Sequence, residues 1–176
     1  MKISSYILLL SFVVFKTYEQ TNQSENIKVG NDSSFLIKTE QITLQTALQL
    51  TNLARSKASA LGKEVTVAIL DANGQIITLS RGDNIGIHNT EAARRKAFTA
   101  TSTKTATLIL GRNARSKPDT ENLANLPELL LLGGGVPLYH DSKVIGAIGV
   151  AGGGSPENDD LIGRAANIPQ ADIIAK

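Results

Sequence analysis

Cysteine and tryptophan are absent from this chain, and its only methionine is Met1. The missing thiols exclude disulfides, cysteine-ligated zinc, iron–sulfur clusters and thiol catalysis together. With no useful methionine either, any metal must be held by nitrogen or oxygen ligands. Charge of one sign is also scarce. The formal net charge is +2, and no Lys/Arg block forms a stripe suited to nucleic acid. The densest basic run, Ala93–Ala97, follows Glu91 at helical spacing and reads as a solvated helix face. Histidine occurs only at positions 88 and 140, with no His-x-x-His or His-Glu-x-x-His spacing. Gly-x-Ser-x-Gly is missing too, which leaves a serine nucleophile elbow without support.

What is present suits one folded domain. The 176 residues are 41% hydrophobic and 19% charged, ordinary values for a globular protein. Residues 1–20 hold a single early lysine and an apolar run, Ile3–Phe15, of signal-peptide length. We expect export to a periplasmic or extracellular location, or else an uncleaved N-terminal membrane anchor, since no small-x-small cleavage pattern follows. Residues 21–40 are rich in Asn, Gln and Ser and read as a disordered spacer. The folded domain is expected over residues 41–170.

Within it, Leu44, Ala47, Leu48, Leu50 or Thr51, Ala54, Ala58 and Leu61 recur at helical spacing, with Thr43 as N-cap and Gly62 as C-terminal stop. Val65–Leu70 and Gln75–Ser80 are strands joined by Asp71-Ala72-Asn73-Gly74, a hairpin signal. A second helix, capped by Asn89 or Thr90, carries Ala93, Ala97, Ala100 and Lys104 on one stripe, with an end between Thr103 and Leu108. A loop through Gly111–Asn122 and a helical turn near Leu123–Leu132 follow. Val136–His140 and Val144–Val150 form a second hairpin about Asp141-Ser142-Lys143, and Ser155-Pro156 opens a last helix.

The second hairpin is bracketed by glycine triplets at 133–135 and 152–154, which invites a phosphate cradle. Glu157, Asp159 and Asp160 already occupy the positive end of the helix that follows, and no Gly-Lys-Ser/Thr is present, so that reading fails. Gly146 and Gly149 lie inside a strand, where glycine costs stability unless a backbone or a flat ligand comes close. Both explanations are open at this point. His88 stands at the start of the second helix and is the candidate metal ligand, since neutral imidazole is the ligating form; the alternative is a plain surface histidine.

The segments VAILDANGQIITLSRGDNIGIHNTEAARRKAFTA and LLLLGGGVPLYHDSKVIGAIGVAGGGSPENDD together resemble the GlcG/HbpS-like haem-binding family, which includes the C-terminal domain of PduO-type proteins. The matching positions are Asp71, Gly74, Arg81, Asp83, Lys96, Ala97, Thr99 and Ala100, then Gly134–Pro137, Gly146, Ala147, Gly149, Val150 and Asp160. Asn84 departs from the family's usual glycine. GIHNTEAARRKA resembles a branch in which histidine opens the helix.

The resemblance spans about Ile42–Ala166 and implies an α/β (α+β) sandwich: an antiparallel sheet of two hairpins with helices packed against it, similar in shape to profilin and PAS domains. It implies haem or iron as ligand, and assembly into homo-oligomers. The cofactor-binding set it suggests is His88, Arg81, Lys96, Thr99, Gly146 and Gly149, with His88 as iron ligand. Arg94 and Arg95 are further candidates for the propionates, while His140, Tyr139 or a weak hydroxyl such as Thr90 or Thr99 are the other possible iron ligands. Whether haem is stored, sensed or degraded is not implied. Two other readings stand beside it. One is a pocket between the Lys96 helix and the glycine-rich strand for a carboxylate metabolite, with or without catalysis. The other is an oligomeric interaction or signalling module.

Overall fold

A computed structural model describes residues 35–176, of which Thr39–Lys176 form one compact unit. The expected leader and most of the spacer therefore lie outside the described residues. Helix α1 is Leu44–Ala60, and the hairpin strands β1 and β2 are Thr66–Asp71 and Ile76–Ser80. Helices α2 (His88–Thr103), α3 (Thr107–Ser116) and the short α4 (Pro118–Glu121) come next. The second hairpin, β3 (Gly135–His140) and β4 (Lys143–Ala151), precedes α5 (Pro156–Gly163) and a short strand β5 (Ile174–Ala175). All pairings are antiparallel, in the order β2-β1-β4-β3-β5. The sheet of two hairpins with helices against it is thus present. It extends past residue 170, because β5 pairs with β3. Among the described residues no helix is long and apolar enough to cross a membrane.

Local chemistry fixes these elements. Thr43 caps α1, its hydroxyl accepting from the Thr46 amide at 3.2 Å. At the other end Gly62 has φ +65°, the Lys63 amide donates to Ala58 O and the Gly62 amide to Ser59 O. That is a Schellman closure, and it needs a residue free to adopt a left-handed φ. In the first hairpin, Asp71 Oδ1 accepts from the amides of Asn73 and Gln75. The second hairpin turns on two residues rather than three: Asp141 (φ 46°) and Ser142 (φ 62°) both lie in the left-handed region, as a tight primed turn demands. Asn84, where the family usually has glycine, also has positive φ (57°), a conformation asparagine tolerates.

The strands' alternation divides the interior. Val65, Val67 and Ile69 face α1 and α5 with Val136, Leu138, Ile148 and Ile162, whereas Ala68, Leu70, Ala147 and Ala151 face Ala93, Ala97 and Ala100 of α2. The second interface is built almost wholly from small residues, so α2 lies very close to the sheet. A Cβ at Gly149 would stand 1.9 Å from Ala93 O, and one at Gly135 would stand 2.1 Å from Lys96 O. These glycines are where helix backbone meets strand backbone.

Three expectations need correction. Leu44 and Leu48 are not on the buried stripe of α1; they are 59% and 50% exposed, and Ala47, Leu50, Thr51, Ala54 and Ala58 face the core. The expected loop at Gly111–Asn122 is instead the second half of α3 followed by α4, with a 3₁₀ turn beginning at Asn122. Gly111 hid this helix in the sequence. It is needed because a Cβ there would strike Leu131 O at 2.4 Å. Lys104 leaves the α2 stripe, since it caps the helix with φ 52° and is exposed.

A test follows from the contact distances. Gly149→Ala should lower stability by about 3 kcal/mol or leave the protein unfolded, since α2 must shift to admit the methyl group. Gly62→Ala meets nothing within 4 Å and should cost only its left-handed strain, about 1 kcal/mol. Urea denaturation midpoints of the two variants compare them directly.

Candidate functional site

Helix α2 carries most of the candidate residues, and its periodicity separates them into an exposed end and a buried middle. His88 is its first residue and is exposed. No side chain caps this end: Ile87 is the N-cap residue, so neither Asn89 nor Thr90 plays the role expected of it. The His88 ring folds over Gly86, where a Cβ would stand 2.9 Å from Cε1 and 3.2 Å from Nδ1. Ile87 beside it is 82% exposed. An apolar side chain and an imidazole therefore share one solvent-facing loop, which Arg81 enters at its other end, also exposed.

The other four members of the set lie inside the molecule. Gly149 is covered by the backbone of α2, and a Cβ at Gly146 would meet Leu70 O at 2.2 Å and Ile42 Cδ1 at 2.8 Å. Both glycines thus sit where neighbouring backbone leaves no room for a side chain. Thr99 is fully buried; its hydroxyl donates to Arg95 O and accepts from the Leu130 amide at 2.8 Å.

Lys96 is 1% exposed, which removes it from reach of a surface ligand and from the solvated face expected for Ala93–Ala97. Its Nζ donates to Asp159 Oδ2 at 2.8 Å and to Val150 O at 2.9 Å. Burial pushes the ammonium pKa down, and the adjacent Asp159 carboxylate opposes that shift. Asp159 Oδ1 in turn accepts from the Gly153 amide at 2.7 Å, while Asn158 Nδ2 donates to Gly153 O. The second glycine triplet is therefore wrapped around a carboxylate of its own chain. A Cβ at Gly134 would stand 2.7 Å from Asp159 Cβ.

Arg94 and Arg95 hold the segment that precedes β3. Arg94 pairs with Glu91 and Glu128, so its guanidinium pKa is raised. Arg95 donates to the carbonyls of Pro127, Glu128 and Leu129. This segment, α3 and α2 enclose a pocket of about 710 Å³, lined by Leu129–Leu132, Ala114, Ala124 and the two arginines 95 and 115, among others.

At the opposite hairpin tip, Tyr139 is half-buried and its hydroxyl donates to Lys104 O. His140 Nδ1 lies 2.6 Å from Glu40 Oε2, a contact that ties a residue assigned to the spacer onto the domain. His140, Asp141 and Asp172 bring ligand atoms within 4.8 Å of one another, on an exposed surface.

Sequence reasoning missed the Lys96–Asp159 pair, which joins residues 63 positions apart. The signal was a lone lysine within the alanine stripe Ala93, Ala97, Ala100. Lys96→Met should strand a buried carboxylate and destabilise by about 3–5 kcal/mol, and a second change, Asp159→Leu, should recover part of that loss in denaturant titrations. At the hairpin tip the hydrogen bond to Glu40 raises the His140 pKa. A raised folded-state value means stability present below the unfolded pKa, about 6.5, and lost as pH climbs through the folded one. In an NMR titration His140 should therefore titrate above about 6.5, and Glu40→Gln should bring it back down.

With this geometry in hand, comparison with known proteins is direct. Residues 42–167 match the family described as "Haem degrading protein HbpS-like". A double mutant of HbpS from Streptomyces reticuli superposes with a TM-score of 0.70 and 33% identity, covering 78% of this chain and 92% of that one. The PduOC:haem complex superposes with a TM-score of 0.64 and 30% identity, covering 72% and 93%. The corrinoid adenosyltransferase PduO of Citrobacter freundii is 30% identical over 123 residues, 68% of this chain but 36% of that protein. The match thus takes in about a third of the adenosyltransferase. A match over nearly the whole folded domain settles the family: this chain is a member of the HbpS-like family.

Proposed function

We propose that this chain is a haem-binding protein that takes the iron at the start of α2, through His88. The observation that carries the reading is the solvent-facing imidazole beside the 82% exposed Ile87 at a helix end without a side-chain cap. Haem is flat and largely apolar, with iron to ligate and two carboxylates to neutralise, so it needs an apolar contact, one ligand and a cation. His88, Ile87 and Arg81 are residues of those three kinds on one loop. Likeness to a protein solved as a haem complex supports the same ligand class. The alternatives are poorer: His140 already faces Glu40 and two aspartates, and Lys96, Thr99, Gly146 and Gly149 are internal. Bound haem would supply a redox-active iron; the chain's own part is to hold it at an exposed edge.

Two further elements belong to the proposal. The apolar leader in residues 1–20 supports export, or attachment through an uncleaved segment. Exposed Leu44 and Leu48 on an uncharged face of α1 support association with further copies of the chain.

Haemin titrated into the protein lacking its leader should give a saturable, stoichiometric Soret shift. His88→Ala should weaken or move it. An unchanged titration in that variant would send the iron to His140, Tyr139 or a hydroxyl, and no saturable shift in either protein would remove the proposal.

A further inference from the structure

The pocket beside Leu129–Leu132 has no part in the reading above, and its construction is specific. Four consecutive leucines occupy a stretch with neither helix nor strand. Leu129 is buried, Leu130 and Leu131 are half-buried, and Leu132 is 44% exposed. The stretch cannot simply collapse to cover them, because side chains pin it along its length. Arg95 Nη2 donates to Pro127 O and Leu129 O, the Leu130 amide donates to Thr99 Oγ1, and Thr107 Oγ1 donates to Leu132 O at 2.8 Å. Opposite the leucines stand Gly111, Ala114 and Ala124, too small to fill the space. What remains is about 710 Å³, inside the range of roughly 300–1,000 Å³ usual for small-molecule sites.

Its charges point to the occupant. Arg115 lines the pocket, is exposed, and forms no ion pair or hydrogen bond among the described residues. Arg95 uses its N–H groups on carbonyls but keeps its charge in the wall. Glu121 is the one carboxylate in the lining, against two guanidinium groups. No imidazole, phenol, thiol or thioether lines it, so nothing there would be a usual haem-iron ligand.

We infer that this pocket is a second, metal-independent binding site for an amphiphilic carboxylate, its apolar body against Leu129–Leu132 and its carboxylate on Arg115. An acyl-chain acid and a metal-free planar macrocycle share that chemistry. The site does not rest on haem binding at His88.

Calorimetric titration of the purified protein with dodecanoate, and separately with protoporphyrin IX free of metal, tests it. One of the two should bind saturably, and which one does names the source. Arg115→Gln should weaken that binding about tenfold, the scale of a lost charge-assisted hydrogen bond. Ala124→Glu, an exposed position that adds a carboxylate to the lining, should weaken it at least as much. Dodecyltrimethylammonium, apolar but cationic, should not compete. The inference is overturned if neither acid binds wild type saturably, if both folded variants bind as wild type does, or if the cationic amphiphile competes equally. The part of the haemin Soret shift that His88→Ala removes should persist in Arg115→Gln, so failure of one site is told apart from failure of the other.

Discussion

The contact of α2 with the sheet, backbone against backbone at Gly135 and Gly149, is the constraint on which the remaining structure depends. Close approach brings Ala93, Ala97 and Ala100 against Ala68, Leu70, Ala147 and Ala151 with no room for larger side chains. It also drives Lys96 into the interior, where an ammonium needs a partner. Asp159 and Val150 O supply one. The carboxylate requires its own space, which Gly134 and Gly153 leave open. Glycines that look from sequence like a ligand cradle are thus the consequence of one helix lying too close for side chains.

That closeness also sets where ligands can go. The sheet face beneath α2 is filled, so the two binding sites proposed above lie at the helix's exposed start and at its flank against the 127–132 segment. His88 stands at the first and Arg95 at the second, on one continuous element. A rigid helix clamped by a buried ion pair gives both positions a fixed base, which a loop alone would not.

The sequence disclosed much of the fold and little of the site. Hairpins were legible because Asn73-Gly74 and alternating valines act locally, and Thr43, Gly62 and Ser155 punctuate helices for local reasons. Helix α3 was hidden because Gly111 and Asn113 lower helix propensity, and Gly111 is there because the helix passes close to Leu131. Leu44 and Leu48 satisfied the period of α1 yet face solvent, since periodicity locates a stripe without saying how wide it is. Lys96 and Thr99 matched a family motif, and a motif position can be shared for packing as readily as for ligand contact. Their partners are distant in sequence, so only the folded chain reveals which of the two it is.

The central claim is that the glycine-rich strand is closed by α2 while haem meets the protein at that helix's start. Paramagnetic broadening in a ¹H–¹⁵N spectrum of the ferric haem complex tests it most directly. The account predicts loss of the Ile87–Glu91 amide signals, with those of Gly146 and Gly149 kept. Broadening centred on Gly146 and Gly149 would contradict it, because the iron would then lie against the strand that the helix covers.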